Sequence, residues 1–296
     1  MTACKWPKLQ NQSGRDILKA FILADTHLLG PYRGHWLDKW RREWQMHQAF
    51  QAVINVHKPE VVFVLGDLFD EGEWSNDKQF REYVHRFYNL FALPNDIEMI
   101  VAVGNHDIGF HNRIRRGFAQ RFSKYLKAPS VQHIVLKDNH FIMLNSMALE
   151  GDSCNLCMEA RNKIEVVSQP DAPPLPERNK LFRLKIDALS KESTDYLVSK
   201  FRPRVAFGGH THHGCLVEHH YKEFDNVHFL EYSVPSFSWR NRPDPKYMLV
   251  SLTPHEYAVE KCALPKETTI ALSAVIMICI LFLYLFTKKS LGRGFF

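Results

Sequence analysis

Short apolar runs and amphipathic stretches alternate through the first third of the chain. Residues 18–27 read LKAFILADTH, an apolar run bounded by polar residues, which predicts a buried strand delivering Asp25 and His27 at its carboxyl end. Residues 47–58 (HQAFQAVINVHK) have helical spacing, and Pro59 breaks it. A second strand follows at 61–67 (VVFVLGD), a second helix at 79–91 (QFREYVHRFYNLF), and a third strand at 98–107 (EMIVAVGNHD). Strands alternating with helices predict an α/β architecture, with polar strand ends gathered on one edge of a sheet.

Residues 140–146 (HFIMLNS) and 204–207 (RVAF) read as a fourth and a fifth strand, the latter running into Gly208-Gly209-His210. Between them, 169–178 (QPDAPPLPER) is a proline-rich loop and 187–201 regains helical spacing. Residues 227–234, 246–252 and 257–264 predict strands of a second sheet. Trp36, Trp40 and Trp44 repeat at helical spacing, which predicts that they pack into the core. No internal repeat is visible.

Residues 269–286 (TIALSAVIMICILFLYLF) carry no charge and approach the roughly 20 residues a bilayer requires. A membrane helix over 268–286 is expected, the alternative being a buried core helix. Lys288, Lys289 and Arg293 follow it, which by the positive-inside rule places tail 287–296 in the cytosol and the preceding domain in the lumen. Residues 1–19 hold no apolar segment to carry the domain across, so a tail-anchored chain with a cytosolic domain is the literal reading. The expected organisation is an N-terminal linker 1–19, one domain 20–264, the membrane helix and the tail. Phe295-Phe296 at the end suits an export signal from the endoplasmic reticulum.

Composition changes this picture little. The 296 residues are 45% hydrophobic, enough for one substantial core, and the net charge of +6 is spread along the chain, so nucleic acid is not an expected partner. The six cysteines are too scattered for a disulfide scaffold. Cys154-x-x-Cys157 lacks a second ligand pair for zinc and fits a disulfide or plain thiols. Asn11-Gln12-Ser13 would accept a glycan in a secretory lumen.

Chemistry concentrates in four blocks: Asp25-x-His27, Gly66-Asp67-x-x-Asp70, Gly104-Asn105-His106-Asp107 and Gly209-His210-Thr211-His212. Any one of them alone reads as a surface turn or a helix cap. Four apolar strands each ending in such a turn are another matter. Carboxylate, amide oxygen and imidazole together suit manganese, iron or zinc better than magnesium or calcium. A two-metal centre follows, with Asp25, His27 and His212 on one ion, Asn105 and His210 on the other, and Asp67 between ions about 3.5–4 Å apart. The glycines beside these ligands are expected to let the backbone turn sharply.

These blocks resemble the calcineurin-like metallophosphoesterase superfamily over residues 20–264, which implies a two-sheet β-sandwich flanked by helices. ADTHLLG, GHWLDKWRREWQM, GDLFDEG, GNHDIGFH and SVPSFSWRNR are similar to the branch of that family that removes ethanolamine phosphate from a mannose of glycosylphosphatidylinositol (GPI) anchors. The resemblance implies that Asp25, His27, Asp67, Asn105, His210 and His212 bind two divalent ions, manganese foremost. It makes His106 catalytic, with Asp70 orienting it. It also implies GPI-anchored proteins as substrate, and a location at endoplasmic reticulum exit sites, the intermediate compartment and the cis-Golgi.

Family members supply one further histidine between the Asn-His-Asp turn and the final Gly-His-x-His, and no histidine occurs from 141 to 209. The second ion is left with Asp67, Asn105 and His210 unless His111 or His213 substitutes. Weakened turnover is therefore expected, as from a spliced or truncated form of such an enzyme. The competing readings are a catalytically silent glycan-binding module and a membrane phosphoesterase with another phosphoester substrate. Finally, Trp239 and Arg240 in 235–242 (PSFSWRNR) form an expected lip for a phosphate-bearing glycan, the alternative being a packed loop with Trp239 over the core.

Overall fold

The computed structural model describes residues 4–10, 16–110, 114–149, 155–167 and 189–292. In chain order these form β1 (Leu18–Leu23), α1 (Trp36–His57), β2 (Val61–Leu65), α2 (Asp77–Leu90), β3 (Glu98–Ala102) and a short α3 (Asn105–Ile108). Next come α4 (Arg116–Leu126), β4 (Val131–Leu136), β5 (Asn139–Leu144), α5 (Asn155–Val167), α6 (Lys191–Phe201) and β6 (Val205–Gly208). The chain continues through β7 (Leu216–Tyr221), β8 (Val227–Ser233), β9 (Lys246–Leu252), β10 (Tyr257–Ala263) and α7 (Glu267–Gly292).

The central sheet has the order β10-β9-β1-β2-β3, with β1, β2 and β3 parallel and β9 running antiparallel against β1. Successive strand residues face opposite ways. Phe21, Leu23, Val62, Val64 and Val101 therefore meet Met46, Phe50, Phe80, Phe87 and Phe91 of the helical layer. Ala20, Ile22, Val61, Phe63 and Ile100 point to the other side, against Phe141, Met143, Phe207, Tyr232 and Val234. Both faces are covered, which is why the central strands read as continuous apolar runs rather than alternating ones.

The second β layer consists of the antiparallel hairpin β4-β5 and the sheet β6-β8-β7. Its far side packs Val131, Ile142 and Leu144 against Ala160 and Ile164 of α5 and Leu197 and Phe201 of α6. The expected two-sheet sandwich flanked by helices is the observed fold. Two assignments within it change. The strands at 246–252 and 257–264, expected in the second sheet, extend the first, because periodicity identifies a strand but not its neighbour. Strands β4 and β7 had not been anticipated; in β7 half-exposed and exposed polar residues leave little apolar signal.

Two features of α1 and the N-terminus also differ from expectation. The buried face of α1 runs through Gln45, Met46, Ala49, Phe50, Val53 and Ile54, whereas Trp36, Trp40 and Trp44 are 69%, 63% and 42% exposed. The tryptophan stripe is on the outside. Residues 4–10, expected as part of a linker, lie on the domain: Leu9 is buried, Trp6 Nε1 donates to His57 O, and Ser251 Oγ donates to Pro7 O. Cys4 and Cys262 form a disulfide that ties this segment to β10.

Helix α7 holds a span, Glu267–Lys288, with mean hydropathy 2.7, long and apolar enough to cross a membrane. The loop 169–178, Asn11, Cys154, Arg293 and Phe295-Phe296 lie outside the described residues, while Cys157 is disulfide-bonded.

The Cys4–Cys262 bond closes a loop with a sequence separation of 258. Cys4→Ser is expected to destabilise the domain by about 2–4 kcal/mol, read as a lower midpoint in denaturant unfolding of the oxidised protein, with no change after reduction of both forms.

Candidate metal centre

The predicted ligands converge beyond the carboxyl ends of the parallel strands. Five of them, Asp25, His27, Asp67, His210 and His212, have positive φ, from 43° to 74°. Non-glycine residues seldom adopt that conformation, and where they do the surrounding structure must hold them in it. The turn expected of the flanking glycines is thus made largely by the ligands themselves. Gly66, with φ 73°, also turns this way. Gly104 is needed for a different reason, because a Cβ there would stand 2.1 Å from Asp67 N.

Backbone hydrogen bonds lock the loops together. Asp25 N donates to Gly66 O, and His27 N donates to Asp67 O. His106 N donates to Asp67 Oδ1 at 2.8 Å and His210 N to Asp25 Oδ1 at 3.0 Å. Asp107, fully buried, accepts from Phe69 N and Gly104 N through its two carboxylate oxygens and so joins the second and third blocks.

The arrangement fits a cation. His27 Nε2 and His212 Nε2 are 3.2 Å apart, close to the roughly 3.3 Å separating two nitrogens on one tetrahedral ion with bonds of about 2.0–2.1 Å. Asp67 Oδ2 lies 3.9 Å from His27 Nε2. Asp25 Oδ2 is buried with no hydrogen-bond partner among the described residues, a costly state for a carboxylate unless a cation completes it. Ligand atoms of Asp25, His27, Asp67 and His212 all lie within 4.8 Å of one another.

Electrostatics point the same way. Burial, reinforced by the charge of Asp67, pushes the Asp25 carboxyl well above its ordinary range. Burial and then Asp67 do the same to Asp107. Burial also opposes ionisation of Asp67, but the His210 hydrogen bond and the charges of His27 and His106 outweigh it and hold that carboxyl low. Burial, then the neighbouring His27, lowers His212 to about 4, which keeps its imidazole neutral as a ligand must be. A bound divalent ion would stabilise ionised Asp25 beside Asp67.

The second ligand group is sparser. The Asn105 amide lies 2.9 Å from His210 Nδ1, which is 3.9 Å from Asp67 Oδ2. Of the two substitutes considered for the absent histidine, His213 is turned outward onto Arg242 Nη1, and His111 lies outside the described residues. Asp67, Asn105 and His210 are the predicted ligands gathered here among the described residues.

Asp70 sits beneath the cluster. Its carboxylate meets His27 Nδ1 at 3.2 Å and its carbonyl meets His106 Nδ1 at 3.2 Å, the carboxylate being 3.8 Å from that ring. Asp70 thus orients His27 through its side chain and contacts His106 through its main chain. Burial resists ionisation of Asp70, but the His27 hydrogen bond and the charge of Arg240 hold it at about 2. The His106 ring stands 4.7 Å from that of His27, with its side chain 31% exposed, at the open side of the cluster.

Arg240 Nη2 reaches Asp70 Oδ2 at 3.3 Å, and its Nε is buried without a hydrogen-bond partner among the described residues. Trp239, expected beside it at the lip, is instead 8% exposed; its indole donates to Pro265 O, and its backbone N–H donates to Gln45. The loop turns the tryptophan inward while presenting the arginine. Sequence reasoning missed Arg33, whose guanidinium lies 4.0 Å over the Trp74 ring and 3.9 Å from Asp70 Oδ2. It also missed Glu71, which fixes the Arg33 loop by accepting from Tyr32 N and Arg33 N, and Asn241, whose amide is 3.2 Å from His212 Nε2. Asn241 lay within a motif already singled out; Arg33 carried no signal of its own.

The calcineurin-like phosphoesterase family model matches residues 18–214. The chain belongs to this family. Its curated relatives include Metallophosphoesterase 1 homolog of Drosophila melanogaster, 41% identical over 89% of this chain and 80% of the relative. Metallophosphoesterase 1 of Ailuropoda melanoleuca is 40% identical over 90% and 78%. The alignment with Metallophosphoesterase 1 of Macaca fascicularis runs over 341 residues, more than the 296 of this chain, so that relative carries segments with no counterpart here. Among solved structures, the purple acid phosphatase PPD1 of yellow lupin shares the fold with TM-score 0.51, 11% identity and coverage of 83% of this chain and 51% of that one. As a calcineurin-like phosphoesterase, this chain carries divalent-metal chemistry at the cluster, where a bound ion supplies Lewis acidity toward a phosphoryl group.

Asp25→Ala should abolish metal retention, read as the metal-to-protein ratio after gel filtration. Asp70→Asn should weaken metal affinity roughly 10- to 100-fold, as loss of a partner supporting a metal-bound imidazole does, with the fold intact by circular dichroism. Gly104→Ala should displace the Asp67 loop and reduce metal retention although no ligand is removed.

Proposed function

We propose that this chain is a membrane-anchored phosphodiesterase that uses two divalent ions, manganese by preference, to remove ethanolamine phosphate from a mannose of GPI anchors on the luminal side of the early secretory pathway. The single observation that carries the phosphoesterase chemistry is the convergence of His27 Nε2, His212 Nε2 and the orphaned Asp25 Oδ2 on one buried point beside Asp67. Arg240 and Arg33 stand on the rim with guanidinium groups directed at Asp70. They supply positive charge for a phosphodiester, while His106, on the open side, is placed to give a proton to a leaving oxygen.

The luminal reading is supported by chemistry. A disulfide between Cys4 and Cys262 is a bond that oxidising compartments preserve and the cytosol reduces. Helix α7 supplies the anchor. Endoplasmic reticulum exit sites, the intermediate compartment and the cis-Golgi are the proposed stations, and GPI-anchored proteins the substrates. The similarity to relatives named Metallophosphoesterase 1 supports a shared activity.

A second reading, a glycan-binding protein with little turnover, is favoured by one observation: the second ligand group holds only Asp67, Asn105 and His210 among the described residues. Calorimetric titration of the metal-stripped full chain with manganese separates the two. One tight and one weaker site, with slow release of ethanolamine phosphate from a GPI glycan, is the expected outcome. Binding of the glycan without any release would sink the enzymatic reading. If purified chain cleaves a nucleotide phosphodiester well and the GPI glycan not at all, the substrate assignment fails while the phosphoesterase stands. Arg240→Ala should raise the KM for phosphodiester about 10-fold or more, the loss of one charge-assisted contact.

A further inference from the structure

The outward tryptophan stripe of α1 is not used by the metal centre. Trp36, Trp40 and Trp44 repeat every fourth residue, so they fall on one side of the helix; nearby in the chain, Leu37 is 46% and Tyr32 72% exposed. Large apolar side chains collected on one exposed face of a chain signal a contact that the isolated domain does not satisfy. The position of this face in the fold identifies the contact. Arg41, the residue after Trp40, pairs with Glu267, the first residue of α7. The indole of Trp239 is bonded to Pro265 O, and the Trp239 backbone to Gln45 of α1. The amino-terminal half of α1 therefore flanks the point where the apolar span begins.

Indoles are the side chains best suited to a bilayer's polar–apolar boundary, having a large apolar ring and one donor that stays hydrated. The acidic groups of this helix half are neutralised before any lipid arrives. Asp38 pairs with Arg41 at 2.7 Å and Arg42 at 3.0 Å, and Glu43 pairs with Arg86. We infer that the Trp36/Trp40/Trp44 face is a membrane-contacting surface that seats the domain on the headgroup layer of the leaflet that α7 enters. The inference rests on α7 crossing the membrane, and on neither the substrate nor the metal. Its functional consequence is geometric. The helix that carries the stripe also lies beside the loop bearing Arg240, with Gln45 bonded to both Phe237 and Trp239, so seating α1 holds the rim of the metal centre close to the membrane surface, where a lipid-linked phosphodiester would present itself.

The test uses the full chain in phosphatidylcholine nanodiscs, with and without brominated acyl chains, and reads tryptophan emission. With three of the six tryptophans on this face, brominated lipid is expected to quench on the order of a third to a half of the parent emission. In the triple variant Trp36→Phe, Trp40→Phe, Trp44→Phe the quenched fraction should fall about threefold or more. Flotation with vesicles and resistance to alkaline extraction report α7 separately, and both proteins should remain membrane-bound. Unquenched parent emission, or equal quenching in the variant, in proteins that do float overturns the inference and leaves the face to a protein partner or a second copy. Extraction of both proteins by alkali removes the anchor reading, and the inference falls with it.

Discussion

Everything at this site depends on a buried concentration of negative charge that the protein does not neutralise by itself. Asp25, Asp67 and Asp107 are all essentially inaccessible to solvent, and burial and then the charge of Asp67 push the Asp25 and Asp107 carboxyls upward. Uncompensated charge in a protein interior is among the most unfavourable arrangements available. Asp25, Asp67 and two imidazoles 3.2 Å apart would hold a divalent ion, which would turn that liability into Lewis acidity. The strained backbone at five predicted ligands and the close approach at Gly104 fit an arrangement held for such an ion.

The rest of the fold supplies the holding. Parallel strands β1, β2 and β3 end together, so the loops leaving them reach one edge, and hydrophobic packing on both faces fixes those strands. Asp107 and Asp70 then transmit order between loops: the first ties the Asp67 block to the Asn105 block, and the second holds His27 while facing Arg240. The asymmetry between the two ligand groups is physical. The group around Asp25 is enclosed, whereas His210 is more open, with its side chain 36% exposed.

A second axis of organisation runs from the amino-terminal segment to the apolar helix. The Cys4–Cys262 bond clamps residues 4–10 across β10, α7 follows directly after that strand, and α1 is joined to the start of α7 through Arg41 and Glu267. The disulfide, the apolar span and the exposed indoles thus belong to one side of the domain's construction. The metal centre shares its rim loop with that side, through the hydrogen bonds of Gln45 to Phe237 and Trp239.

The sequence by itself determined the parallel strands and the family, and it named the candidate ligands that the fold gathers, because these are local: an apolar run, a sharp turn and a ligand type lie within ten residues of each other. It also determined the apolar span, since length and hydropathy are read without knowing neighbours. Only the tertiary structure decided which sheet received β9 and β10, that Trp36, Trp40 and Trp44 point outward, and that Trp239 turns in while Arg240 turns out. Helical spacing states that three tryptophans share a face, but which face the core will cover depends on what packs there. The same holds for Arg33 and for the pairing of Cys4 with Cys262: each acquires its partner across a long stretch of chain, and nothing in its immediate sequence says who that partner will be.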